Sequence, residues 1–360
     1  MSSVLSPLYD IHKTFEENFS SPHFSAIIPP SRQCFPNNRT HFLGYSLASS
    51  IGAAPCAVTT GKGIALLARL GFDVLTYKTI RRRAYRSHPL PNIVYLDRAT
   101  VLSKSDLDKP IYTREKPIPV EKIAISNSFG NGCLAPDVLI QDIALAKSAL
   151  LEGQILIVSV YGDGESLEAI ATEFAETAFF AQHAGADVIE LNLSCPNLLK
   201  KGEPIYWDAE AVYKITSRVV SRIGALPVLV KLGLLPEVYS LSKILDAVAK
   251  AGAKGISAIN SISMRVINQA QQPAFGKRIF SGVSGYPIRL LALNFIKKIV
   301  KINHEKKLDL AILGMGGITH PDHFKEFLAS GANVALVATG MMWNPYLAFQ
   351  YHQQLPLCNQ

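Results

Sequence analysis

The sequence predicts a single (β/α)8 barrel with an N-terminal arm and insertions at the C-terminal face, and three observations carry that prediction. From Asp137 onward, short apolar runs alternate with longer helical stretches that end in glycine, the pattern of parallel strands joined by crossover helices. No separate Gly-rich dinucleotide fingerprint accompanies any strand, so a doubly wound open sheet is the second choice. With 360 residues, the chain is long enough for one large barrel.

In chain order, residues 1–40 carry Pro7, Pro22, Pro29, Pro30 and Pro36 and read as an irregular arm, with a short helix over Ile11 to Asn18. Residues 41–360 then form the barrel. Tyr45 to Ile51 is the first strand. Thr60 to Leu70 is a helix stopped by Gly71, and Val74 to Lys78 is the second strand. Arg81 to Pro119, rich in Arg and Pro, reads as extra strands or excursions outside the core. Ile123 to Ile125 leads into a turn-rich loop, Asn127-Ser128-Phe129-Gly130-Asn131-Gly132.

The alternation is then clean. Strands are predicted at Ile155 to Val160, Val188 to Asn192, Val228 to Leu232, Gly255 to Asn260, Leu310 to Leu313 and Val334 to Val337. Helices are predicted at Asp137 to Leu151, Ser166 to Ala184, Asp208 to Arg222, Pro236 to Ala251, Pro287 to Asn303, Pro321 to Ser330 and Pro345 to Gln353. Ser261 to Gly285 is a long insertion. The nearly continuous apolar character of Ile155 to Val160 suits a strand covered on both faces.

Composition narrows the function classes. Hydrophobic residues make up 48% and charged residues 18%, so the chain is globular with a large core. The longest apolar runs are too short to cross a bilayer, and Asp10, Glu16 and Glu17 interrupt the N-terminus, so a soluble protein with no membrane partner is expected. Five scattered cysteines without a C-x-x-C pair give no metal site and suit a reducing, cytoplasmic setting. The net charge of +8 suits small anionic ligands; the Lys297, Lys298, Lys301, Lys306 and Lys307 group reads as a solvated face, so no nucleic-acid partner is expected.

In a barrel, residues at the C-terminal ends of the strands face one common mouth. Here they are Lys78, Asn127, Asn192 with Cys195, Lys231, and Asn260 with Ser261, followed by Gly316-Gly317 and Thr339-Gly340. Each alone has an ordinary explanation as a turn former or surface group. Together, amides, a hydroxyl, two lysines and a thiol make a constellation that packing does not call for. The glycine turns expose backbone N–H groups suited to phosphate, with Ser281-Gly282-Val283-Ser284-Gly285 expected as a third such loop.

These residues resemble the dihydroorotate dehydrogenases, over roughly Gly44 to Phe349. The most specific element is Leu191-Asn192-Leu193-Ser194-Cys195-Pro196-Asn197. Tyr77-Lys78-Thr79, Asn127-Ser128-x-Gly130, Val230-Lys231-Leu232, Asn260-Ser261 and Gly314-Met315-Gly316-Gly317-Ile318 support it. The resemblance implies an FMN-dependent (β/α)8 enzyme that oxidises dihydroorotate to orotate in pyrimidine biosynthesis. Cysteine in place of serine as base resembles the soluble class, so fumarate or another soluble oxidant is the implied acceptor and a homodimer is expected.

The resemblance implies roles residue by residue. Cys195 would take the C5 proton while hydride from C6 passes to flavin N5. Lys78, Asn127, Phe129, Gly130, Asn131, Asn192, Asn197, Asn260 and Ser261 would line the substrate. Ala54, Lys78, Asn192, Lys231, Gly282, Gly316, Gly317, Thr339 and Gly340 would hold FMN. Leu198 to Tyr206 is the expected lid. The chain departs from the family pattern at Asn131-Gly132-Cys133, Ala54-Pro55-Cys56 and Gly233-Leu234-Leu235-Pro236, the first of which touches the substrate pocket. A tRNA dihydrouridine synthase-like flavin reductase and a non-catalytic ligand-binding barrel are the alternatives.

Overall fold

The computed structural model describes residues 8–24, 27–30, 39–194, 204–237 and 239–355. Its strands begin with β1 (Thr40–Phe42), β2 (Tyr45–Leu47), β3 (Ile51–Ala53) and β4 (Val74–Ile80). Next come β5 (Ile93–Leu96), β6 (Ile111–Arg114), β7 (Ala124–Asn127), β8 (Ile155–Val160), β9 (Val188–Asn192), β10 (Val228–Leu232) and β11 (Gly255–Ala258). The last four are β12 (Ile262–Ile267), β13 (Phe280–Gly285), β14 (Ala311–Met315) and β15 (Val334–Val337). Strands β3, β4, β8, β9, β10, β11, β14 and β15 close into one parallel ring in that order, as the alternation predicts.

Strand periodicity layers the inside of the ring. Val74, Ile155, Ile157, Val188, Leu229, Leu313, Val334 and Leu336 form one buried apolar cluster. Two residues further along several of the same strands, side chains of the same parity are polar: Ser159, Glu190, Asn192 and Lys231. The barrel is therefore apolar toward its N-terminal end and polar toward its mouth. Helices such as Gly61–Arg69 and Ala209–Ile223 cover the outside with their apolar faces. Ser166 and Asp208 cap their helices by accepting backbone N–H groups.

The structure corrects the reading at several places. The first barrel strand is Ile51–Ala53, not Tyr45 to Ile51. Tyr45–Leu47 instead pairs antiparallel with Thr40–Phe42, and Phe42 and Leu47 join the apolar cluster at the N-terminal end. Ser49 and Ser50 break the run, bonding to Asp73 and Thr40 respectively. The helix expected from Pro236 starts at Leu241, because Ser240 accepts from the Lys243 N–H and sets the N-cap. The Ser281-to-Gly285 stretch is not a loop but most of β13, paired antiparallel to β7.

The two irregular stretches, Arg81 to Pro119 and Ser261 to Gly285, meet. Strands β6, β5, β7, β13 and β12 form a second closed sheet, completed where β12 runs parallel to β6. The arm also enters the core: Leu8, Tyr9 and Phe15 are buried with the main cluster. Its helix α1 (Phe15–Ser20) starts later than expected because Thr14 and Glu17 form a capping box.

Gly52 shows how tightly the ring closes. A methyl group there would lie 1.9 Å from the Val74 carbonyl oxygen and 2.7 Å from Leu336 Cδ2. Gly52→Ala is expected to lower stability by about 1–3 kcal/mol or more, because a strand must shift to admit it. Urea unfolding followed by circular dichroism checks this, with an unchanged midpoint as the contrary result.

Candidate active site

Strand β4 does not run straight to its end. Its pairing with β8 slips between Tyr77 and Ile80, a bulge that contains Lys78 and Thr79 and re-aims both side chains. Thr79 Oγ1 lies 3.0 Å from Ser159 Oγ and accepts a 3.1 Å hydrogen bond from Asn192 Nδ2. Asn192 Oδ1 accepts from Ser194 Oγ at 3.0 Å and, more weakly, from Asn260 Nδ2 at 3.4 Å. Asn260 Nδ2 also donates to Ser194 Oγ at 2.7 Å, while its Oδ1 accepts from the Ser261 N–H at 2.8 Å. One polar network thus ties together the C-terminal ends of four strands, and Asn192 and Asn260 stand at its centre.

Asn127 arrives from the second sheet. It is the last residue of β7 and is paired with Gly282 of β13. A side chain at 282 would lie 2.4 Å from Ser261 Oγ and 2.9 Å from Asn127 Oδ1. The bare glycine avoids crowding either group.

The two lysines take different partners. Lys78 is buried within β4; its Nζ donates to the Gly132 carbonyl and, at 3.3 Å, to that of Thr79. The Phe15 ring of α1 lies 4.5 Å from that ammonium. Lys231 lies inside β10, in register with Asn192 of β9. Its ammonium is 3.6 Å from Glu190 Oε1, and both side chains are buried. Each lysine is part of its strand, as the predicted strand bounds place it, and both are buried.

The Asn127-to-Cys133 loop is pinned from several sides. Arg81 donates to the Asn131 carbonyl at 3.1 Å, pairs with Asp163, and lies over the Tyr85 and Tyr161 rings. Arg278 reaches from the second insertion to Ser128 O and Oγ at 2.8 and 2.9 Å and to His88 Nδ1 at 2.8 Å. Phe129 packs edge-on against Tyr9 of the arm, with ring centroids 5.6 Å apart. Asn131 takes a left-handed backbone, φ 55°, which asparagine tolerates better than most residues. The departure from the family pattern here is thus accommodated by contacts that the arm and insertions supply.

The glycine turns meet beside β13. Gly316 and Gly317 adopt φ 127° and 82°, a backbone that favours glycine, and a methyl at 317 would lie 2.7 Å from the Arg289 nitrogen. Thr339 Oγ1 donates to Ser284 Oγ at 3.0 Å, and a methyl at Gly340 would lie 2.2 Å from the Ile318 carbonyl oxygen. Ala54 is buried and donates its N–H to the Val337 carbonyl at 2.8 Å. These turns present backbone in place of side chains at the glycines, and with the Lys231 ammonium inside the same ring of strands they are of the chemical kind that suits a phosphorylated flavin.

Cys195, Asn197 and residues 198–203 of the expected lid lie outside the described residues. Of the cysteines that are described, Cys56 has its pKa pushed up to about 11 by burial and Cys133 is raised by burial as well. Both stay protonated at neutral pH and neither is suited to act as base. Sequence reasoning missed Thr79, Ser194 and the contribution of the arm. The Thr14-to-Glu17 capping box was a readable sign of an ordered arm.

The comparisons with known proteins agree with the geometry. The family model for dihydroorotate dehydrogenase matches residues 119–357. The dihydroorotate dehydrogenase of Dictyostelium discoideum is 36% identical over 357 residues, covering 96% of each chain. Shorter matches carry different acceptors in their names. The catalytic subunit of dihydroorotate dehydrogenase B (NAD(+)) from Oceanobacillus iheyensis is 32% identical over 50% of this chain and 56% of its own. Dihydroorotate dehydrogenase A (fumarate) from Limosilactobacillus reuteri is 30% identical over 49% and 56%. The chain thus spans a little over half the length of these two relatives.

In three dimensions the chain is similar in fold to the Eimeria tenella enzyme crystallised with ferulenol, with TM-score 0.69 and 16% identity over 92% of this chain and 86% of that one. The matching family is the one the strand-end motifs resemble, rather than the tRNA-modifying flavin reductases. On its sequence and its fold, the chain belongs to the dihydroorotate dehydrogenase family, whose enzymes are FMN-dependent flavoproteins acting on CH–CH bonds.

Proposed function

We propose that this chain oxidises dihydroorotate to orotate with FMN, as its family does, and that the bonded pair Asn192 and Asn260, together with Asn127, form the substrate slot. The network joining Asn192 and Asn260 through Ser194 is the observation that carries this reading. A flat pyrimidine presents alternating C=O and N–H groups, and each asparagine amide offers both a donor and an acceptor to match them. Asn197 belongs to the same motif and is assigned to the substrate with them. The carboxylate of dihydroorotate calls for a cation, and Lys78, already deprived of bulk water, serves that purpose. Bound FMN would supply a two-electron acceptor for the hydride leaving C6.

Lys231, Ala54 and the Gly316, Gly317, Gly282, Thr339 and Gly340 cradle are assigned to holding FMN. Cys195 is assigned as the base that removes the C5 proton, since burial keeps Cys56 and Cys133 protonated. It follows Ser194, whose hydroxyl is bonded to Asn192 and Asn260. Substrate amides or a nearby ammonium must favour its thiolate, because an ordinary thiol is mostly protonated at neutral pH. Phe129, Gly130 and Asn131 form the far wall of the slot.

The proposal extends to a soluble acceptor such as fumarate, a cytoplasmic setting and a homodimer. The free Cys56 and Cys133 suit a reducing compartment. Among the described residues, no helix is long and apolar enough to cross a membrane.

The purified protein, loaded with FMN, should show flavin absorbance that bleaches anaerobically on adding dihydroorotate; persistent colour would point to a non-catalytic barrel. Stopped-flow measurement of Cys195→Ala should show flavin reduction slower by about 10²–10⁴. A rate equal to the parent's would remove Cys195 from the role of base. Phe15→Ala takes away the ring over the Lys78 ammonium, and should raise KM for dihydroorotate several-fold while kcat changes less. Dihydrouracil, which lacks the carboxylate, should be a poor substrate for the parent and show little further loss with that variant.

A further inference from the structure

We infer that Glu190 is a positioning residue that sets the reduction potential of the bound flavin by holding and partly neutralising Lys231. The inference rests on the reading above, in which Lys231 contacts the flavin ring. Register places the three groups involved. Glu190 of β9 is paired with Leu229 of β10, one inward-facing position below the Asn192–Lys231 pair, and Lys231 is paired with Ser257 of β11. All three side chains share the inner face of the ring.

Glu190 is fully buried, an expensive place for a carboxylate unless it is partnered. Its Oε2 accepts a 2.6 Å hydrogen bond from Ser257 Oγ. Among the described residues its Oε1 has no hydrogen-bond partner, and it faces the Lys231 ammonium at 3.6 Å. That separation is too long for a good hydrogen bond but short for a charge pair in a site shielded from water. The hydroxyl fixes one oxygen, and the free oxygen is left to act on the lysine. A barrel that needed only to be filled at this level has apolar solutions, and the layer beneath uses them.

The consequence is electrostatic. Reduced flavin carries negative charge on the ring that oxidised flavin lacks, so a nearby cation stabilises the reduced form and raises the potential. A carboxylate beside that cation offsets it. Removing the carboxylate while keeping its shape therefore raises the potential, and removing the ammonium lowers it.

The test is a spectroscopic titration of the FMN-loaded protein, with xanthine and xanthine oxidase supplying electrons and a reference dye at equilibrium. Glu190→Gln keeps the volume and can still bond Ser257. It is expected to raise the ratio of reduced to oxidised flavin at fixed dye potential about tenfold, equivalent to about 30 mV for a two-electron couple. Lys231→Met should move the ratio the opposite way. If Lys231→Met shifts the potential and Glu190→Gln does not, the inference is overturned while the proposed function stands. If neither variant shifts it, Lys231 is not at the flavin and both the assignment and the inference fall. Should Glu190→Gln not fold, Glu190→Asp, which draws the carboxylate back by one methylene, should raise the potential by less; no rise overturns the inference.

Discussion

The upper half of this barrel is a place where polar side chains are denied water and must find partners in each other. Closing eight strands removes every edge and leaves the inside of the ring dry. At the apolar level that is simply favourable burial. At the level of Glu190, Asn192 and Lys231 it becomes a constraint, because each unpartnered buried donor or acceptor is destabilising by about 1–3 kcal/mol. The structure meets the constraint by linking groups from neighbouring strands: Thr79 to Ser159 and Asn192, Asn192 to Ser194 and Asn260, Ser257 to Glu190. The fold and the candidate site are in that sense one network, since the bonds that satisfy the ring's interior also fix the amides that face the slot.

Much of this was legible in the chain itself. A parallel strand buried on both faces reads as a continuous apolar run, and the runs from Ile155 onward are of that kind. The strand-end residues stood out because asparagine and lysine have no packing reason to recur there. The first strand was misplaced by several residues because its hydrophobic signal is shared with a hairpin that closes the barrel's N-terminal end. Ile51–Ala53 is short and ends in alanine, so little in its composition separates it from the apolar residues before it.

Other features were hidden for a physical reason. The second sheet pairs segments far apart in sequence, and each of its strands alone is short and weakly patterned. Gly282 was read as a loop residue but lies within a strand, where a side chain would crowd Ser261 and Asn127. The Glu190–Lys231 pair was visible in a simple form, a charged residue in the middle of an otherwise apolar strand. Its partner was not, because register between β9 and β10 depends on the whole ring.

The second sheet is woven from two excursions that leave the barrel at different points, since β5, β6 and β7 precede β8 while β12 and β13 follow β11. Pairing β12 with β6 and β13 with β7 spans more than a hundred residues of intervening chain. Contacts of such high sequence separation form slowly, because the entropy of closing long loops is lost before the contacts are made. Closing the barrel reaches further still, because its last strand, β15, pairs with its first, β3. In a chain made from its N-terminus, every strand of the second sheet therefore exists before β14 and β15, and the ring is the later of the two to be completed.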